Sequence, residues 1–142
     1  MNLGELHHIG IAVPSLERAL PFYQGTLGLA AGPAVTLADQ AVRVRFLTGP
    51  GTRVELLEPT DDLSGVAKFV ASRGGKASLH HACFVVDDLA ATLDRLARDG
   101  VELIDRAPRK GAEGDVAFLH PRAGDGVLVE LIDRASLHTG HS

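Results

Sequence analysis

The chain repeats itself, and the repeat restricts its possible folds more than anything else in the sequence. HHIGIAVPSLERAL (7–20) aligns with HHACFVVDDLAATL (80–93), matching both histidines, Val13 with Val86, Leu16 with Leu89 and Leu20 with Leu93. GTRVELLE (51–58) aligns with GVLVELID (126–133), where Gly, Val, Glu and Leu coincide. The second half gains two residues between these blocks. Two related modules follow, roughly 5–60 and 78–134, joined by a linker (61–77) that holds a short helical pattern, SGVAKFVASRGG (64–75). One module has too little apolar surface to stand alone, so the two are expected to share one domain, 1–142.

Each module opens on an alternating strand. Ile9, Ile11 and Val13 point one way, and His8, Gly10 and Ala12 the other. A helix follows, capped by Ser15, with Leu16, Ala19, Leu20, Tyr23 and Leu27 at helical spacing and Gly28 at its end. Pro21 falls inside that pattern and is expected to kink it or shift its start. In the second module Asp88 caps, Leu89, Leu93 and Leu96 form the stripe, and Gly100 stops it. Three further strands complete each unit, near 29–37, 42–48 and 52–58, then near 101–105, 115–119 and 127–133. The expected fold is α+β: two βαβββ modules paired into a curled mixed sheet with a concave face.

The overall balance excludes several function classes. The chain has 142 residues, with 14 Lys+Arg against 18 Asp+Glu, a formal charge of −4 and 45% apolar residues. Nucleic acid is therefore not an expected partner. No apolar run approaches the ~20 residues needed to span a bilayer, and MNLGELHHIG lacks the basic start and apolar stretch of a secretion signal. A lone cysteine, Cys83, excludes an intrachain disulfide framework and a cysteine-based zinc site. The expected compartment is the cytoplasm. Seven histidines are many for this length, and they point to chemistry.

Alternation sorts the polar residues by face. Phe84 and Val86, like Ile9 and Ile11, belong to the helix-facing side, which leaves His8 and His81 on the other. Val54/Leu56 and Val129/Leu131 face the helices, so Glu55 and Glu130 face away. Taken singly, a strand His or Glu is ordinarily structural or solvated. Here the same His and Glu positions recur in both modules of an otherwise weak repeat. Two imidazoles and two carboxylates suit a divalent transition metal, with two octahedral positions left for water or substrate oxygens. His7 and His80 fall on the helix-facing side, as core residues or supports. Cys83 reads as a small apolar filler, and Phe22, Tyr23 and Phe69 as core. The loop Arg106–Gly114 (RAPRKGAEG) reads as a solvated loop or an anion contact, and His120-Pro121-Arg122 as a turn.

These residues resemble the vicinal oxygen chelate (glyoxalase-like) superfamily, and within it the methylmalonyl-CoA epimerase family. The segments that carry the likeness are 7–29, 42–61, 65–89 and 105–133, most specifically AKF followed by a Gly-rich link into LHH, and PR…G…FLHP…GVLVEL. The resemblance implies His8, Glu55, His81 and Glu130 as ligands of a divalent ion (Co, Mn, Ni, Zn or Fe), an acyl-CoA substrate and a homodimer. It implies interconversion of (2R)- and (2S)-methylmalonyl-CoA through an enolate. Glu130, then Glu55, are the candidates for proton transfer, and a metal-bound water or a residue of the 106–114 loop is the candidate for the other partner. Some members carry a Glu in the third strand of the first module, proposed as a base; that position here is Val44. Lys76, Arg73, Arg109, Lys110 and Arg122 are candidate contacts to CoA phosphates. The rival readings are a lactoylglutathione lyase of the glyoxalase I type and a metal-free sequestering protein of the same fold. An extradiol dioxygenase fits less well, because Glu55 would occupy a position that oxygen chemistry needs.

Overall fold

The computed structural model describes residues 1–137; residues 138–142 of the expected domain lie outside the described residues. The chain forms two compact units, one of residues 8–80 and one that joins residues 1–7 to the part from His81 onward.

In the unit of residues 8–80, β1 (Leu6–Ala12) runs parallel to β5 (Thr52–Pro59), with Ile9 opposite Val54 and Gly10 opposite Glu55. β5 is antiparallel to β4 (Val42–Gly49), whose other edge carries β2 (Ala30–Ala31) and β3 (Val35–Leu37). The strand expected over 29–37 is thus split, because Pro33 offers no N–H to the ladder. Ser15 caps α1 (Leu16–Leu20), its hydroxyl accepting the Arg18 N–H at 3.2 Å. Pro21 then breaks the α-helical ladder, and residues 21–26 wind as a π-helical turn, in which the Leu27 N–H reaches back to Phe22 O at 2.9 Å. That wider winding carries Phe22 and Leu27 out of the apolar stripe. Phe22 is 51% and Leu27 55% exposed, contrary to the core positions expected for them. The core gathers Ile11, Val13, Leu16, Leu47, Val54 and Leu56, with Tyr23 packed at its edge. The linker helix is α2 (Gly65–Ser72), capped by Ser64 and burying Val66 and Val70.

In the other unit, β6 (Ser78–Val86) runs parallel to β9 (Val129–Asp133) through Ala82–Val86, β9 is antiparallel to β8 (Asp115–Leu119), and β8 carries the short β7 (Arg109–Lys110). Asp88 caps α3 (Leu89–Arg98) by accepting the Ala91 N–H at 3.0 Å, and Gly100, at φ +83°, ends it in a conformation that glycine adopts without strain. Its stripe buries Leu89 and Leu93 against Val86, Ala117 and Leu131. The strand expected over 101–105 shrinks to one bridge, Leu103 with Leu119. Ile104 and Asp105 crowd their N–H groups onto Phe118 O, which ends the regular ladder there.

Both units fasten helix to sheet by the same device. Glu58, at the end of β5, accepts the Leu16 N–H at 2.8 Å, and Asp133, at the end of β9, accepts the Leu89 N–H at 3.2 Å. Each carboxylate satisfies a first-turn donor and complements the positive end of the helix. The N-terminal residues join the second unit: Gly4 N–H donates to Val85 O at 2.8 Å, and Arg134 clasps Glu5 and Asp87.

Candidate functional site

The parallel pairing of β1 with β5 places His8 and Glu55 on the side of the first sheet away from α1. Both are buried, and His8 Nε2 stands 3.6 Å from Glu55 Oε1. Phe46, directly opposite Glu55 in the ladder, meets the His8 ring edge to face at 5.0 Å. Contact of this kind restricts the rotation of the imidazole and aims Nε2. Val44, two residues earlier on the same strand and face, is fully buried.

The other unit repeats this arrangement. His81 and Glu130 are buried, and His81 Nε2 stands 3.1 Å from Glu130 Oε1. Phe118, directly opposite Glu130, meets the His81 ring edge to face at 5.7 Å. Cys83, next to Glu130 in the β6–β9 ladder, packs with Val85, Val116 and Ile132. It fills apolar space, as expected of it. His7 is buried, and the half-buried His80 meets Phe69 of the linker helix α2 edge to face at 4.9 Å.

Phe46 and Phe118 were not singled out in the sequence, although each stands at the same point of its repeat. The signal lies in the strand pairing that sets each opposite a Glu. Glu113 is also missed: it sits in the loop read as solvated or as an anion contact, yet it is only 7% exposed.

The basic residues separate by register. Arg109 lies opposite Val116, so it shares a face with Phe118 and Glu130, whereas Lys110 lies opposite Asp115 and faces the other way. Arg122 forks onto Glu102 at 2.7 and 3.0 Å. It lines a pocket of about 440 Å³ with Leu96, Leu119 and Val129, on the helix side of the sheet. Its pairing holds the Glu102 carboxyl below the usual range. Lys76 is exposed after α2. Among the described residues no helix is long and apolar enough to cross a membrane.

Each pair can be tested as part of a metal centre by its own geometry. Donor atoms bound at about 2.1 Å to one ion lie about 3.0 Å apart at right angles and about 3.4 Å apart at the tetrahedral angle. The two Nε2–Oε1 separations, 3.1 and 3.6 Å, lie close to these values. Each pair thus offers a borderline nitrogen and a hard oxygen close to the spacing a shared ion needs.

Comparison with known proteins agrees with the folds of the two units. A profile of the Glyoxalase/Bleomycin resistance protein/Dioxygenase superfamily matches residues 7–119. The ethylmalonyl-CoA/methylmalonyl-CoA epimerase of Cereibacter sphaeroides is 40% identical over 131 residues, 91% of this chain and 97% of that protein. The structure of a point variant of the Streptomyces coelicolor methylmalonyl-CoA epimerase in complex with 2-nitronate-propionyl-CoA superposes with a TM-score of 0.86 at 33% identity, covering 95% of this chain and all of that one. A methylmalonyl-CoA epimerase in complex with methylmalonyl-CoA and NH4+ superposes at 0.85, also at 33% identity, covering 96% of this chain and 99% of that one. Matched by that superfamily's profile over residues 7–119 and 40% identical to a curated epimerase over 91% of its length, the chain belongs to the methylmalonyl-CoA epimerase family of the glyoxalase superfamily.

Proposed function

We propose that the two His–Glu pairs hold one divalent ion, so that the two modules work as one domain, and that the chain interconverts the epimers of methylmalonyl-CoA there. The observation that carries this reading is the recurrence, in each module, of a buried His Nε2 facing a Glu oxygen with a phenylalanine set against the ring. A purely structural histidine has no reason to recur with its carboxylate and its ring contact.

The α-proton of the substrate sits between a thioester and a carboxylate. Removing it adds negative charge beside a charge already present, which makes the step difficult in water. A bound divalent ion supplies positive charge that stabilises this growing charge on the substrate oxygens. His8 and His81 would supply neutral nitrogen ligands, fixed in rotation by Phe46 and Phe118. Epimerisation needs a proton acceptor on one face of the α-carbon and a donor on the other. Glu130 takes the first role, with its carboxylate oxygen as acceptor. Glu55 is the second candidate, since Val44 carries no group that can take a proton.

Lys76, Lys110 and Arg122 are the groups proposed to meet the phosphates of CoA. A homodimer in the cytoplasm completes the reading. The test is α-carbon proton exchange in D₂O on methylmalonyl-CoA and on the glutathione hemithioacetal, with metal content measured in the same sample. Exchange on methylmalonyl-CoA with about one ion per chain is expected. Exchange on the hemithioacetal alone would establish the lyase instead, and protein that binds no metal and exchanges neither would establish a sequestering role.

A further inference from the structure

We propose that Arg109 reads the free carboxylate of the substrate's acyl group, and so selects a dicarboxylic acyl-CoA over a simple one. This rests on the epimerase reading above and goes further, because it names what confers that selectivity. Three observations converge on this residue. The β7–β8 register sets Arg109 opposite Val116, on the face that carries Phe118 and Glu130. Its guanidinium carbon lies 5.7 Å over the Phe118 ring, and that ring in turn meets His81 at 5.7 Å, so cation, aromatic and imidazole form one continuous run. Asp105 completes the support: its Oδ2 accepts the Phe118 N–H at 2.8 Å and stands 3.5 Å from Arg109 Nε.

The physical effect is a pre-set fork. A guanidinium held by a ring face below and a carboxylate at Nε loses less freedom when it meets an anion. The Arg109 side chain is 34% exposed, so water screens it less than a fully solvated arginine. A planar carboxylate matches that fork better than a lone point charge would, and it has lone pairs enough to meet an ion and an arginine together. The first module has no such cation at this register. There Val35 stands opposite Val44, as Arg109 stands opposite Val116.

The experiment measures binding of methylmalonyl-CoA and of propionyl-CoA, which lacks the carboxylate but keeps the whole CoA, to metal-loaded wild type, Arg109→Gln and Arg109→Lys. Arg109→Gln is expected to weaken methylmalonyl-CoA at least about tenfold while leaving propionyl-CoA within about twofold. Arg109→Lys, which keeps the charge and loses the fork, is expected to fall between. Equal weakening of both ligands would show that Arg109 meets a CoA phosphate and would overturn the proposal. Unchanged binding of both would reduce the residue to a packing partner of Phe118 and overturn it equally. Failure of the epimerase reading is distinguishable, because wild type itself would then show no α-proton exchange on methylmalonyl-CoA.

Discussion

The two modules carry the same donor pair on differently finished scaffolds. In the first, the helix breaks at Pro21 into a π-helical turn, and the residues facing each other at the outer register are Val35 and Val44. In the second, α3 runs unbroken for ten residues, the equivalent outer position is Arg109, and the His–Glu separation is 3.1 rather than 3.6 Å. Both modules keep one nitrogen, one oxygen and a ring contact to the nitrogen's ring, the donor set that the proposed ion would need. The surroundings differ. One module offers an apolar wall and the other a cation and a buried loop carboxylate, Glu113. An asymmetric substrate, with a methyl group and a carboxylate on one carbon, calls for that asymmetry.

The comparison can be broken most severely at the histidines. His8→Ala and His81→Ala are each expected to lose stoichiometric metal and activity while keeping the fold, since the apolar cores pack against the helices on the opposite face. Metal analysis and circular dichroism check this, and full metal occupancy in either variant would end the view that the modules contribute equally. A sharper contrast comes from the carboxylates. Glu130→Gln keeps an oxygen ligand but removes a basic oxygen, and it is expected to slow α-proton exchange at least about a hundredfold in metal-loaded protein. Glu55→Gln is expected to slow exchange from one epimer more than from the other. Near-normal exchange from both epimers in Glu130→Gln would make Glu130 a ligand only, and the bases would then be sought in the 106–114 loop or among metal-bound waters.

Smaller effects probe the scaffolds. Leu93→Ala removes a fully buried side chain from the unbroken helix, and a loss of about 2–5 kcal/mol is expected in denaturant unfolding. Cys83→Ala is expected to cost about 1 kcal/mol and to leave metal content unchanged. Loss of metal there would give the thiol a ligand role. The smallest effect concerns the N-terminal clasp of the second unit. Hydrogen bonding from Arg134 lowers the Glu5 carboxyl from 4.5 to about 2. A depressed carboxyl contributes stability that is present above its unfolded value and is lost as pH falls toward 2. Arg134→Gln should therefore flatten the acid limb of the stability profile between pH 4.5 and 2, measured against wild type.

Much of this was legible in the residues alone. Alternation has a period of two, so it assigned His8, Glu55, His81 and Glu130 to their faces without any knowledge of the partner strand. Periodicity and caps located α3, because Asp88, the leucine stripe and Gly100 all act within one helix. The broken first helix was legible only as a doubt about Pro21, since how a helix continues past a missing N–H depends on what it packs against. Arg109, Lys110 and Arg122 looked alike in sequence. A two-residue strand has no detectable period, and only its register on β8 turned Arg109 toward Phe118 and Lys110 away, while Arg122 folded back onto Glu102. The ring contacts of Phe46 and Phe118 were equally hidden, because which residue stands across a ladder is set by loop length and strand stagger. Local chemistry determined which side chains could serve. Tertiary pairing, which brings residues far apart in sequence within a few ångströms, decided which of them meet.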